Sequence, residues 1–203
     1  MIRVTSALRQ HGAALRLLLV MTVLLGLVYP LAVTAASQLA FRSRADGSLA
    51  RKGSEVVGSS LIGQLFTKAD GSPLPQYFQS RPSAAGDGYD PTSSSASNLG
   101  PENADLVTSV KARRAAVAAL DGVNPAAVPV DALTASGSGL DPDISPAYAM
   151  IQVQRVADAR GLPAADVRRL VQTQRSGRDL GFIGEPTVNV LQLNLALDAL
   201  ATG

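Results

Sequence analysis

The sequence predicts an α+β architecture in which a single N-terminal transmembrane helix precedes one mixed, mainly helical soluble domain. Three observations lead there. Leu17 to Phe41 form an uninterrupted run of 25 residues without formal charge, bracketed by Arg16 and Arg42. The 161 residues from Ser43 onward are enough for one hydrophobic core of ordinary size. Within them, apolar residues recur at helical spacing through the second half, while the first half offers short extended pieces separated by Gly, Ser and Pro.

At about 1.5 Å rise per residue, the apolar run reaches roughly 37 Å as a helix, enough to cross a hydrocarbon core of about 30 Å with some tilt. Pro30 predicts a kink inside it, which a spanning helix tolerates when neighbouring helices or side chains re-satisfy the freed carbonyl. The competing reading is a cleaved signal peptide, with Arg3, Arg9 and Arg16 as the basic region and Val33-Thr34-Ala35 as the cleavage site. The apolar run is longer than a signal core of about 7–15 residues, which favours the anchor. Basic residues flank both ends, so charge does not set the orientation. Residues 1–16 are too short a leader to be a domain, so the expected arrangement is leader in the cytoplasm, helix at 17–41, and residues 42–203 outside it.

All 16 acidic residues and 15 of the 18 basic ones lie from Arg42 onward, so the exported part is close to neutral and a nucleic-acid role has no support. Cysteine is absent and the one histidine, His11, lies in the leader. Disulfides, Ser-His-Asp and Cys-His nucleophiles and most zinc chemistry are thereby excluded from the soluble domain.

Along the chain, Ser43–Gly58 reads as a polar connector with a turn at Asp46-Gly47-Ser48. Leu61–Phe66 reads as a first buried strand, followed by a turn through Asp70-Gly71-Ser72-Pro73, and Tyr77-Phe78 begins a second extended piece. Arg81–Pro101 is a long Ser-, Gly-, Pro- and Asp-rich loop. Leu106, Val107, Val110, Val117 and Leu120 then mark a helix stopped at Asp121-Gly122, and Val128–Thr134 a short strand. Ser145-Pro146 supplies an N-cap and first turn for a helix that buries Ala149, Val153 and Val156 and ends at Gly161. Val167, Leu170 and Val171 lie on a further helix. The last element, Val190–Leu200, turns Leu191, Leu195 and Leu197 or Leu200 toward a core.

Three arrangements could carry chemistry. Asp141-Pro142-Asp143, beside Ser136-Gly137-Ser138-Gly139, could offer two carboxylates to a hard cation, but the spacing matches no EF-hand loop and a turn leading to the Ser145 cap is the better reading. The same glycine stretch lacks the order of a phosphate loop or a dinucleotide fingerprint, so no cofactor is expected to bind autonomously and no metal site is assigned. A serine nucleophile would need Lys52, Lys68 or Lys111 as a buried base, with no motif to support it. The Arg113-Arg114 and Arg168-Arg169 pairs read as solvated helix faces. No catalytic residue is assigned.

An ordered set of segments completes the reading: Gly26-Leu27-Val28-Tyr29-Pro30, Gly58-Ser59-Ser60-Leu61-Ile62-Gly63-Gln64, Tyr77 to Ser83, Ser97 to Pro101, Ser136 to Ser145, Arg155-Val156-Ala157, Gly184-Glu185-Pro186 and Val188 to Leu191. Together, and in this order, they resemble the C subunit of the Kdp potassium-transporting ATPase. Thr187 and Asp143 depart from the pattern, standing where that family often carries arginine and histidine.

The resemblance implies a non-catalytic accessory subunit of an ATP-driven potassium importer in the plasma (inner) membrane. Its implied partners are a P-type ATPase subunit that hydrolyses ATP, a channel-like potassium-binding subunit and a small membrane subunit. It further implies a catalytic chaperone that raises the ATP affinity of the hydrolytic subunit, with ATP contacted jointly with that subunit and Gln64 as the nucleotide-related position. The alternative from another class is a free-standing, membrane-anchored envelope hydrolase.

Overall fold

The structure is a computed structural model that describes residues 2–200, with side chains from Ser6 onward. The chain divides into two compact units, Met1–Ser48 and Leu49–Gly203.

The first unit is one nearly continuous apolar helix. Helix α1 (Ile2–Val23) passes into a π turn, Leu24–Val28, and on into α2 (Tyr29–Ala40). Proline has no N–H to give the carbonyl four residues back, and its ring crowds that carbonyl. Here the turn before Pro30 is widened, with the Tyr29 N–H reaching Leu24 O, so the kink expected at Pro30 is taken up as a local change of helical register. Within the 35 residues from Ser6 to Ala40, the most apolar 18-residue stretch has a mean hydropathy of 2.4 and none of it is buried within the chain. This is a helix with the length and composition of a single-pass membrane anchor. Leader residues 2–16 continue the same helix. Past Phe41 a single turn, α3 (Arg42–Ala45), is closed by Asp46, which accepts from Gln38 Nε2 at 3.0 Å.

The second unit opens where a plain connector was expected. Strands β1 (Leu49–Lys52) and β2 (Glu55–Ser59) form an antiparallel hairpin with a bulge between Ala50 and Arg51. Residues 60–103 then form no regular element, apart from an isolated bridge between Thr67 and Pro73. The strand expected at Leu61–Phe66 is therefore absent: Leu61 is exposed, and Ile62 closes a turn onto Ser59 O.

Helix α4 (Ala104–Asp121) is capped by Asn103, whose side chain accepts from Asp105 N at 2.7 Å. It ends at Gly122, whose φ of 64° is the left-handed conformation that glycine adopts without a Cβ penalty. The strand expected at Val128–Thr134 is instead occupied by 3-10 turns, Pro125–Ala127 and Val130–Ala132. Prolines 125 and 129 start both turns and cannot donate to a ladder. Strand β3 (Asp143–Ile144) leads directly into α5 (Pro146–Arg160), capped by Ser145 and ended by Gly161 at φ 65°. Helix α6 (Ala164–Thr173), β4 (Arg175–Ser176), β5 (Thr187–Asn189) and α7 (Val190–Leu200) complete the unit. The second sheet has the order β3-β5-β4, all antiparallel.

The core lies among α5, α6, α7 and β5, with Ala149, Val153, Val156, Val167, Val171, Val188, Leu193 and Leu197 fully buried or nearly so. In α7 the buried positions are Val190, Leu191, Leu193, Asn194 and Leu197, whereas Leu195 is half-buried and Leu200 exposed. The fold is α+β with a mainly helical second half, as expected.

Candidate functional site

The segments that were far apart in sequence meet in one region. Gly63 N donates to Leu140 O at 2.9 Å and Asn189 Nδ2 to Ser60 O at 2.8 Å, so the Gly58–Gln64 stretch is held by both the glycine-rich turn and the start of α7. Ser83 Oγ donates to Gly139 O at 2.6 Å and receives the Tyr89 N–H, while Ser95 N donates to Ser138 O. Gly63 has no room for a side chain: a Cβ there would strike the Tyr89 ring and approach Asp141 O at 2.9 Å. These bonds let residues 60–103 hold a fixed path without a ladder, because backbone groups buried there still find partners.

Arg81 is the hinge pin of this region. Its Nη1 donates to Asp141 Oδ2 at 2.8 Å and its Nη2 to Thr134 O at 3.2 Å, and its own carbonyl receives the Tyr89 hydroxyl. Burial pushes the Tyr89 phenol up to about 12, so it stays a donor at physiological pH. Asp141 is thus spent on an arginine and on the Asp143 N–H at 3.0 Å. Asp143 accepts from Thr187 Oγ1 at 3.2 Å. Burial first, and the nearby Asp141 charge as well, raise the Asp143 carboxyl above its ordinary value.

A second network lies deeper. Asn194 offers its amide to the backbone of Phe78, accepting from Phe78 N at 2.9 Å and donating to Phe78 O at 3.0 Å. Gln152 does the same for Gln79, at 2.7 and 3.2 Å. Tyr77-Phe78, expected to begin an extended piece, forms no strand: Tyr77 N closes a turn onto Leu74 O, and the backbone that follows is served by two side-chain amides rather than a neighbouring strand. Arg155 ties the set together, donating Nε to Asp121 Oδ1 at 2.7 Å, Nη1 to Pro75 O and Tyr77 O, and Nη2 to Gln152 Oε1. Sequence reasoning missed Asp121, Gln152 and Asn194 as functional positions; their signal was a polar residue on the core-facing stripe of a helix.

Gln64 is placed at this junction. Its Nε2 donates to Val57 O at 2.6 Å and its carbonyl receives Ser80 Oγ at 2.9 Å. Gly58 lies against it, where a Cβ would run into the Gln64 amide and come within 3.1 Å of Leu191 Cδ2. The lysines do not meet the requirement for a buried base. Lys68 and Lys111 are exposed, and the hydrogen bond and charge of Asp198, 2.8 Å away, hold Lys52 above its ordinary pKa. Asp198 also accepts Arg160 Nη2 at 2.7 Å; burial works upward on its carboxyl, but the hydrogen bonds and charges of Lys52 and Arg160 together hold it below the usual range. Among the described residues no cluster of three or more His, Cys, Asp or Glu could hold a metal ion. Arg114, Arg168 and Arg169 are exposed as expected, but Arg113 is half-buried and donates to Leu133 O at 2.9 Å.

The family described as "K+-transporting ATPase, c chain" (KdpC) matches residues 11–199. A potassium-transporting ATPase KdpC subunit of Kineococcus radiotolerans is 59% identical over 197 residues, covering 97% of this chain and 97% of that protein. The subunit of the same name from Beijerinckia indica is 53% identical, over 90% of this chain and 89% of its own length. That from Mycobacterium tuberculosis is 51% identical, over 95% and 99%. With a match that spans the apolar helix and the soluble unit alike, the chain belongs to the KdpC family, the c chain of the K+-transporting ATPase.

Proposed function

We propose that the chain is the non-catalytic accessory subunit of a high-affinity, ATP-driven potassium uptake complex. It is fixed by its apolar helix in the plasma (inner) membrane, with the N-terminus cytoplasmic and residues 42–203 outside. Its partners in this reading are the ATP-hydrolysing P-type subunit, the channel-like potassium-binding subunit and a small membrane subunit. The single observation that carries the proposal is the match to K+-transporting ATPase c chains along nearly the whole chain. The chemistry of the soluble unit supports a non-catalytic part: it has no histidine or cysteine, Lys52 and Asp141 are engaged in ion pairs, and Lys68 and Lys111 are exposed.

In this reading the subunit assists assembly and raises the ATP affinity of the hydrolytic subunit. A domain outside the membrane cannot touch cytoplasmic ATP directly, so either the effect travels through the helix or the outer domain acts at the potassium entrance; Gln64, the nucleotide-related position of this reading, has its side chain bonded to Val57 O. Co-isolation tests the proposal. A tagged chain should bring down an ATPase and a channel-like subunit, and its deletion should abolish growth at low external potassium. Isolation as a lone, hydrolytically active protein would overturn it in favour of the anchored hydrolase. A reporter fused after Gly203 should be active only outside the cytoplasm, and ATP KM of the complex should rise without the subunit.

A further inference from the structure

The second unit contains an open cavity of about 650 Å³, lined in part by Gln79, Ser80, Arg81 and Arg113. Its volume falls within the range of small-molecule pockets, roughly 300–1,000 Å³. The walls are mainly apolar, with Leu65 and Pro73 from the irregular segment and Val117 and Leu120 from α4. Two polar groups stand out. Tyr148, in the first turn of α5, is only 4% exposed, yet its hydroxyl has no hydrogen-bond partner among the described residues. Because no buried side-chain atom lacks a partner, that hydroxyl reaches accessible space, and Tyr148 is one of the residues that line the cavity. Arg113 donates one nitrogen to Leu133 O and has no carboxylate partner among the described residues. Arg81 also lines the cavity but is paired with Asp141, no acidic residue lines it, and the Asp121 and Asp131 charges act on the Tyr148 phenol from behind the wall, so Arg113 is the cation that the cavity leaves without an ion pair among the described residues.

A half-buried guanidinium and a phenol without a partner are donors for an anion, and apolar walls of this extent fit a hydrocarbon body. We infer that this cavity binds an anionic amphiphile, with the acidic head on Arg113 and Tyr148 and the chain along Leu65, Val117 and Leu120. A chain that carries its own membrane-crossing helix lives among such molecules. The inference rests on the membrane attachment proposed above and not on membership of the ATPase.

The chain contains no cysteine, so Ala116→Cys, at an exposed position on the cavity wall, provides one site for an environment-sensitive fluorophore. The labelled full chain is reconstituted in nanodiscs of phosphatidylcholine alone, of phosphatidylcholine with phosphatidylglycerol, or of phosphatidylcholine with added dodecanoate. A blue shift with phosphatidylglycerol identifies a bilayer lipid as the source, and one with dodecanoate a free amphiphile; either supports the inference, provided dodecyltrimethylammonium gives none. Arg113→Gln should weaken the half-saturation point roughly tenfold and Tyr148→Phe a few-fold, the scale of a charge-assisted and a neutral hydrogen bond. Arg113→Lys should retain most of the response. Because the Tyr148 hydroxyl has no protein partner, Tyr148→Phe should not lower the melting temperature, which separates lost binding from lost folding. No shift with either anion, an equal shift with the cation, or an unchanged response in Arg113→Gln overturns the inference. So does a shift that appears only when the other transporter subunits are added, which would assign the cavity to a protein segment. None of these outcomes bears on co-isolation with the ATPase.

Discussion

Thr187 Oγ1 donates to Asp143 Oδ2 across 3.2 Å, linking the edge strand β3 to the central strand β5. Burial raises the Asp143 carboxyl above its unfolded value, so ionisation is less favourable in the folded state. A raised carboxyl contributes stability that is complete below the unfolded pKa and is lost as pH rises through the folded one. Asp143→Asn, which imitates the protonated form, should therefore melt slightly above the parent chain at pH 7. The gain should shrink as the pH falls toward the ordinary carboxylate range. Thermal melts of both full-length proteins between pH 3 and 7 measure this; a gain independent of pH would show that charge is not its cause.

Asp198 has the opposite sign. Its pKa is held below the ordinary value, because the Lys52 and Arg160 hydrogen bonds outweigh burial. Stability from a depressed carboxyl is present above the unfolded pKa and lost as pH falls through the folded one. Asp198→Asn should lower the melting temperature at pH 7, with the deficit closing in the acid range below the ordinary carboxylate value. The same series of melts checks it, and the two asparagine variants should diverge in opposite directions from the parent at neutral pH.

The contrast between what was and was not legible in the sequence follows the range of the interactions. Helices α4 to α7 carry their own instructions: apolar stripes at helical spacing, Ser145 as a cap, and Gly122 and Gly161 as stops. The β1–β2 hairpin was missed because its residues are largely exposed and show no apolar alternation. Leu61–Phe66 has strand composition, but its carbonyls and amides are taken by Ser80, Gln79 and Leu140, residues that composition alone does not bring near. Gln152 reaches Gln79 across 73 positions, and Asn194 reaches Phe78 across 116. A local pattern shows that such a side chain faces the core; it does not show which backbone it serves.

The amide clamps make a sharp test of that point. Asn194→Leu keeps roughly the same volume but leaves the N–H and C=O of the fully buried Phe78 without partners. Each unsatisfied buried group costs about 1–3 kcal/mol, so the variant should lose roughly 2–6 kcal/mol. Urea denaturation of the full chain, followed by circular dichroism, should show a lower midpoint with an unchanged slope. A loss below about 1 kcal/mol would mean that the Phe78 backbone finds water or another partner instead.

The Arg155–Asp121 pair should give the largest effect of a single substitution. Its side chains are 6% and 1% exposed, and Arg155 also serves Pro75 O, Tyr77 O and Gln152 Oε1. Replacing Arg155 with Met strands a buried carboxylate and removes donors from two carbonyls, a loss of about 3–5 kcal/mol or outright failure to fold. Lysine should not rescue it, since a single ammonium cannot reproduce a planar fork that reaches four acceptors in different directions. Double replacement of Arg155 by Met and Asp121 by Leu removes both charges at once and should recover part of the loss, because the cost lies mainly in leaving one partner buried alone. Urea midpoints for the two single variants and the double variant give the coupling directly. A double variant as unstable as the sum of the singles would show that the two side chains act independently.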